Sequence, residues 1–171
     1  MATVILKWNP NFSSYNMLHY LSDIAHCNRD DSITDFDWSV WDYEKIHTGD
    51  RFYWVKLGYG QVGIVGAGEI TSEPFEAEDW SGKGRRTFYV EFMPDLLINP
   101  DALPILTASE LSSRIPDFDW TRGHSGLVLS DAQAEELEKL WHSFVEEHKE
   151  EFEKKASFDP RYINDYIYWK K

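Results

Sequence analysis

The stretch from Gly49 to Phe75 constrains the fold more than any other part of the sequence. A turn signal, Thr48-Gly49-Asp50, precedes a run of aromatic and β-branched residues from Phe52 to Val55. A glycine-rich reversal at 58–60 separates this run from a second one, Val62 to Ile70. Residues of these types pack well on a pleated surface, so the stretch predicts two adjacent antiparallel strands.

Three glycines, Gly63, Gly66 and Gly68, lie inside the second of these strands. Glycine weakens a strand, and it is kept where another group must approach the backbone closely or where a barrel wall must bend. We therefore expect a small, strongly curled barrel with a ring or a ligand against its wall, rather than a flat sandwich.

The same stretch contains the pattern G-x-G-x-x-G at Gly58, Gly60 and Gly63. In a dinucleotide-binding fold these glycines lie between a strand and a helix, so that the helix N-terminus meets the pyrophosphate. Here a β-rich run follows, and no helical pattern begins before Pro74. The pattern therefore does not indicate a phosphate loop.

Composition excludes several classes of protein. The longest apolar runs are far shorter than the roughly 18 residues of a membrane span. Cys27 is the single cysteine, which rules out an internal disulfide or a cysteine-based zinc site, and the sequence shows no secretory signal pattern. We expect a cytoplasmic protein. Its net charge of −13 argues against broad, salt-driven binding of nucleic acid.

Aromatic residues make up 16% of the chain, and eight of them are tryptophans, more than packing alone needs in a domain of 171 residues. Five of the tryptophans lie in or beside predicted loops and strand ends: Trp8, Trp38, Trp41, Trp54 and Trp120. Stacked rings hold flat bases and organic cations. Core packing is the alternative role for each of the five.

Helical patterns flank the predicted barrel. We expect one helix to begin at Ser13 or Ser14, capped by the serine hydroxyl, and a long helix to follow Ser130, which forms a capping box with Gln133. The aromatic tail from Tyr162 to Trp169 repeats at helical spacing, which predicts a helix packed against the body of the protein.

No residue set argues for catalysis. The carboxylates are scattered, the six histidines lack metal-ligand spacing, and no G-x-S-x-G motif occurs. We therefore predict no catalytic residue, no metal and no cofactor, although enzymatic activity stays open.

Several segments together resemble the EVE domain of the PUA-like superfamily over roughly Val4 to Trp141. They are VILKWNP at 4–10, Trp38 to Trp41, Asp50 to Trp54, Gly63 to Gly68 with Ser72 to Phe75, Thr87 to Phe92, and Gly126 to Ser130. The resemblance implies an α+β fold, a bent β-barrel of about five or six strands with flanking helices. It assigns residues 1–141 to this domain, and 142–171 to the end of the last helix and an aromatic extension packed on the same domain.

The closest likeness is to EVE-like domains fused to nucleases in restriction systems, where they recognise modified bases. This sequence carries no nuclease, so a nuclease or another effector protein is an expected partner, and no membrane is. The resemblance implies a binding module that recognises a modified nucleobase in DNA or RNA through an aromatic pocket.

We assign the predicted pocket to seven residues: Trp8, Asn9, Trp38, Ser39, Trp41, Trp54 and Trp120. Trp38 or Trp41 would stack on the base together with Trp54, Trp120 would act as a lid, and Asn9 and Ser39 would bond the base edge. Five basic residues are candidates for contact with phosphate: Lys83, Arg85, Arg86, Arg122 and His124.

Two alternatives remain open. The acidic surface and the long Glu-rich helix favour a protein-interaction module. An enzyme acting on RNA or a nucleotide, which the resemblance implies for some PUA-like proteins, would need a carboxylate, His or Lys converging on the same pocket as the tryptophans.

Overall fold

The computed structural model describes residues 1–29, 36–157, 159 and 161–170. Within them it contains nine strands and three α-helices: β1 (Thr3–Trp8), α1 (Met17–Arg29), β2 (Phe36–Val40), β3 (Arg51–Lys56), β4 (Gly63–Ile70), β5 (Phe75–Glu78), β6 (Arg86–Ile98), β7 (Leu106–Thr107), α2 (Ala108–Arg114), β8 (Leu127–Val128), α3 (Asp131–Ala156) and β9 (Ile167–Trp169). None of the described helices combines the length and the apolar character that a membrane crossing requires.

All the strands belong to one sheet, whose central order is β2-β6-β4-β3-β1-β8. β3 and β4 are antiparallel and are joined by the glycine-rich turn at 58–60, as the sequence predicted. β1 lies parallel to β3, so Trp8 and Lys56 end their strands side by side. The long strand β6 pairs in addition with β5 and β9, and β7 pairs with β4.

The two ends of this strand order meet and close the sheet into a bent barrel. Immediately after β2, the backbone N–H groups of Trp41 and Asp42 donate to the carbonyls of Ser125 and Gly126, just before β8. The approach is so close that a Cβ at Gly126 would lie 2.3 Å from Cα of Val40. The predicted α+β bent barrel with flanking helices is thus confirmed. Its strand count exceeds the expected five or six because β7, β8 and β9 are pieces of two or three residues.

The glycines of β4 lie where neighbouring chain comes unusually near. The pairing of β4 with β6 shifts register between Ala67 and Gly68. A Cβ at Gly68 would lie 2.1 Å from the carbonyl oxygen of Met93 and 2.8 Å from the ring of Phe52. The expectation of a curled wall with a ring against it is confirmed at this position, and the ring belongs to the protein itself.

The helices agree with the sequence except at the start of α1. Ser130 and Gln133 form the predicted capping box at the start of α3. α1 begins at Met17, not at Ser13 or Ser14, because the Asn16 side chain accepts the N–H of His19 at 3.0 Å. The hydroxyl of Ser13 accepts the N–H of Tyr15 instead and shapes the preceding loop.

The prediction of a helix over Tyr162 to Trp169 was wrong. Residues Ile167–Trp169 form β9, which pairs antiparallel with Leu96–Ile98 at the end of β6. Asn28 of α1 donates to the carbonyls of Asn164 and Ile167. A free edge of β6 therefore overrides the helical spacing of this segment, and the tail contacts the body as a strand.

Candidate functional site

Three of the tryptophans selected from the sequence come together inside the barrel, and we call them the indole box: Trp8, Trp38 and Trp54. Trp8 is the last residue of β1, Trp54 lies two positions earlier on the parallel neighbour β3, and Trp38 lies on β2. The ring centroid of Trp54 is 5.3 Å from those of both Trp8 and Trp38. Trp8 and Trp54 are fully buried, whereas Trp38 is half-buried and faces the rim.

Tyr15, which the sequence analysis did not select, contacts all three rings of the indole box. Its ring centroid is 5.4 Å from that of Trp8 and 5.8 Å from those of Trp38 and Trp54. It stacks on Trp54 with an interplanar angle of 24° and meets Trp38 edge to face at 78°. These separations are those of aromatic rings in contact, so Tyr15 is a fourth ring packed against the box.

Hydrogen bonds fix Tyr15 at both its main chain and its side chain. Its carbonyl accepts the indole N–H of Trp8 at 2.6 Å, and its hydroxyl donates to Oδ2 of Asp23 on α1 at 2.6 Å. Burial, followed by the hydrogen bond to the Asp23 carboxylate, raises the pKa of Tyr15 well above its usual value. The ring itself remains half-buried, in the loop that precedes α1.

One polar atom of the indole box is unpaired. The indole N–H of Trp38 donates to the carbonyl of Lys7 at 3.0 Å, and that of Trp8 to Tyr15. Nε1 of Trp54 is buried and has no hydrogen-bond partner within the described part of the chain. Such a donor is uncommon in protein interiors, because an unpaired buried N–H costs about 1–3 kcal/mol.

The polar residues that were predicted to bond the edge of the base are next to tryptophans of the indole box in the chain. Oδ1 of Asn9 accepts the N–H of Asn11 at 3.0 Å, within the turn that follows β1. Ser39 follows Trp38 on β2, so its side chain points to the opposite face of the strand. Both assignments stay predictions.

Trp120 lies in the core rather than in an open loop. It is 1% exposed, its indole N–H donates to the carbonyl of Ile115 at 3.1 Å, and its ring packs against Phe118. Its part in binding stays a prediction.

Trp41 forms a second aromatic site on the surface. It is 57% exposed, and it stacks on the imidazole of His124 with a centroid separation of 3.6 Å and an interplanar angle of 2°. A cavity of about 430 Å³ lies beside it. Its lining residues are Val40 to Lys45 and Arg86 to Phe88.

Lys7 connects the indole box to the loop that carries His124. Its Nζ donates to the backbone carbonyls of Asp119 and Arg122, and its backbone N–H donates to the hydroxyl of Ser125 at 2.9 Å. Desolvation by burial lowers the pKa of Lys7. No sequence pattern indicates this role of Lys7, because its three partners lie more than a hundred residues away in the chain.

The remaining basic candidates are exposed. Lys83 and Arg85 lie in the β5–β6 turn, and Arg122 lies in the loop before β8. Arg86, at the start of β6, forms an ion pair with Glu76 at 2.8 Å. Among the described residues, no group of three or more His, Cys, Asp or Glu side chains could hold a metal ion.

Comparison with known proteins gives a likeness in structure only. No protein-family model matches the sequence, and no curated protein matches it. A protein from Leishmania major superimposes with a TM-score of 0.52 at 16% identity, over 82% of this chain and 94% of that one. Human THYN1, solved in complex with DNA containing 5-methylcytosine, superimposes with a TM-score of 0.53 at 12% identity, over 82% of this chain and 97% of THYN1.

These likenesses cover most of both chains. At 12–16% identity they are evidence for the fold. The chain therefore shares the fold of these structures, and this fold is the α+β bent barrel with flanking helices that the sequence analysis predicted.

Proposed function

We propose that this protein binds nucleic acid and recognises a modified nucleobase in the indole box, in the place where the ring of Tyr15 now lies. One observation carries the proposal: a single flat ring that is only half-buried and that belongs to a loop contacts all three indoles. A space that holds a phenol ring by stacking and edge contacts has the shape and the chemistry that hold a base.

The fold supports this choice of ligand. Human THYN1, which has the same fold over nearly its whole length, was solved with DNA that contains 5-methylcytosine. Trp54 adds a polar group to the box, because its buried Nε1–H is unpaired within the described residues. A ring nitrogen or a carbonyl oxygen of a bound base would accept that hydrogen bond.

Entry of a base requires Tyr15 to leave. Its loop contains no helix or strand between β1 and α1, and its hydroxyl donates a hydrogen bond to Asp23. Stacking returns about 1–3 kcal/mol per base, and unstacking a base from its strand costs a few kcal/mol. The free energy gained by stacking and the free energy spent on unstacking nearly balance. Displacement of Tyr15 costs additional free energy, so a poorly matched base does not bind.

The net negative charge of the chain increases the selectivity for the correct base. A net charge of −13 repels the phosphate backbone over most of the surface. Arg122, Lys83, Arg85 and Arg86 supply local positive charge, and their contact with phosphate is part of the proposal. Binding is then weak until the correct base enters the box.

The test is a binding panel of short oligonucleotides, single- and double-stranded, each with one unmodified, methylated or hydroxymethylated base. We expect tighter binding of one modified form. Trp38→Ala should weaken that binding about 5- to 150-fold, the range that corresponds to about 1–3 kcal/mol of stacking. Trp80→Ala, which removes an exposed tryptophan outside the box, is the matched control.

Tyr15→Ala provides a result that simple core packing does not predict. It removes the ring that competes with the base, so the modified oligonucleotide should bind more tightly although the protein becomes less stable. Binding that ignores base modification, or that survives both Trp38→Ala and Trp54→Phe, would contradict the proposal and would favour a protein-interaction module.

A further inference from the structure

The surface site at Trp41 has features of a second stacking position. The imidazole of His124 lies parallel to the indole at 3.6 Å and covers one of its two faces. The cavity of about 430 Å³ is lined by Trp41 but not by His124, and Trp41 is 57% exposed. A volume in this range is typical of small-molecule sites, which run from about 300 to 1,000 Å³.

Two further aromatic side chains line this cavity and are held in place. Tyr43 and Phe88 stack on each other at 3.6 Å with an interplanar angle of 9°, and both line the cavity. Phe88 lies on β6 and pairs with Val40 of β2, which ties the wall to the barrel. The cavity, which we call the slot, is therefore lined by three aromatic side chains, those of Trp41, Tyr43 and Phe88.

The rim of the slot carries balanced charge in a strongly acidic protein. Lys45 and Arg86 supply two positive charges, and Asp42 and Glu44 two negative ones. Arg86 gives two N–H groups to Glu76, out of the five donors of a guanidinium, and remains exposed. A phosphate at this rim would meet less repulsion than over most of the surface.

The chain links this slot directly to the indole box. Trp38 and Trp41 are three residues apart, so their Cα atoms are separated by at most about 11 Å. Lys7 bonds Trp38 through its carbonyl, and it holds the 119–125 loop through its ammonium and its backbone N–H. The two aromatic sites are therefore held in a fixed relation at one side of the barrel.

We infer that the slot beside Trp41 binds the base next to the recognised one, stacked on the open face of Trp41, with its phosphate at Arg86 and Lys45. The inference rests on the proposed function, which supplies its class of ligand, a nucleic-acid strand. It adds a second binding position, and the base at that position need not be modified. It predicts that a single modified nucleoside binds less tightly than the same base within a strand.

The experiment combines a protein substitution with a change in the ligand. The probes are single-stranded oligonucleotides with one modified base, either intact or with abasic sites at both neighbouring positions. With the intact probe, Trp41→Ala should weaken binding about 5- to 150-fold, the range expected for loss of one stacked base. With the abasic probe the same substitution should have no further effect, because the interaction is already absent.

Two further variants separate stacking from structure. His124→Ala removes the ring behind Trp41 and should reproduce part of the loss, whereas His124→Phe keeps a flat ring there and should restore binding. Trp80→Ala, an exposed tryptophan that is 78% accessible, should leave both probes unaffected.

The outcomes distinguish this inference from the proposed function. If modified bases are still preferred but Trp41→Ala lowers the affinity equally for both probes or not at all, the flanking position is refuted and the reader function stands. If the modification makes no difference but Trp41 and the neighbouring base remain coupled, the slot is a nucleobase site and the reader function fails.

Discussion

The indole box and the Trp41–His124 stack differ in how deeply their aromatic rings are buried. In the box, two of the three tryptophans are buried, and the rings pack on Tyr20, Phe36 and Phe92 of the core. At the surface, Trp41 is 57% exposed and has a single histidine behind it. The first site is built from residues that the barrel needs in order to fold. The second adds little to the core.

This difference decides what a substitution can reveal. A buried indole contributes both to stability and to any pocket that it lines, so loss of binding after its removal has two explanations. An exposed indole can be removed with the fold intact. The two regions therefore call for different variants, and stability should be measured beside binding in each case.

The largest effect is expected at Trp54, which is 0% exposed and contacts Trp8, Tyr15, Tyr20, Trp38 and further rings. Trp54→Ala should lower the free energy of unfolding by about 3–5 kcal/mol, because it removes a large buried side chain and leaves a cavity. Urea denaturation measures this loss. Trp54→Phe should retain a larger part of the stability, and an equal loss in both variants would show that ring volume is not what matters here.

How much of the fold could be predicted from the sequence depends on how far apart the interacting residues lie in the chain. The β3–β4 hairpin and the Ser130 capping box depend on neighbours in sequence, and both are confirmed. The start of α1 was misplaced because Ser13 and Asn16 are both good caps, and the choice depends on the loop held by Trp8. β9 was missed because an edge of β6, some seventy residues away, decides its structure.

The candidate site also combines features that the sequence indicates with features that depend on contacts between distant residues. Composition and loop position selected Trp8, Trp38 and Trp54, which the parallel pairing of β1 with β3 brings together. The same criteria placed Trp41 in that pocket, whereas its ring contact is with His124 at the surface. Tyr15 was overlooked because its role follows from three contacts across the fold, although an aromatic residue in a polar loop seven positions after Trp8 was a usable signal.

A second prediction concerns Lys7, the residue that connects the two regions. Lys7→Met keeps an unbranched apolar stem but leaves the carbonyls of Asp119 and Arg122 without their ammonium donor. We expect a loss of about 1–3 kcal/mol in the free energy of unfolding. Hydrogen exchange should rise in residues 119–125 and stay unchanged in β3 and β4. Equal exchange in all three segments would contradict a connecting role for Lys7.

A third prediction separates anchoring from ring filling at Tyr15. Tyr15→Phe keeps the ring but removes the hydrogen bond to Asp23, which should cost about 1 kcal/mol of stability. If Tyr15 must leave before a base can bind, the same loss makes departure easier and tightens binding of the modified oligonucleotide up to about fivefold. Stability and affinity then change in opposite directions.

Tyr20→Phe is the matched control for this effect. Tyr20 contacts Trp8 and Trp54 from the core side, and its hydroxyl donates to the carbonyl of Ile98 at 2.7 Å. Its removal should lower stability without tightening binding, because Tyr20 does not fill the box. Tighter binding in both variants would mean that general loosening of the core, rather than release of Tyr15, controls access.

The smallest effect on stability is expected at Trp41, and it is the one that isolates the surface site. Trp41→Ala removes an exposed ring whose stacking partner, His124, is also exposed, so the free energy of unfolding should change by no more than about 0.5 kcal/mol. Urea denaturation of Trp41→Ala beside Trp54→Ala measures the contrast directly. The backbone bonds from Trp41 and Asp42 to Ser125 and Gly126 do not involve the indole, so the barrel closure should persist in this variant. A loss above about 1 kcal/mol would instead show that the stack helps to close the barrel, and it would remove the distinction between the two aromatic regions.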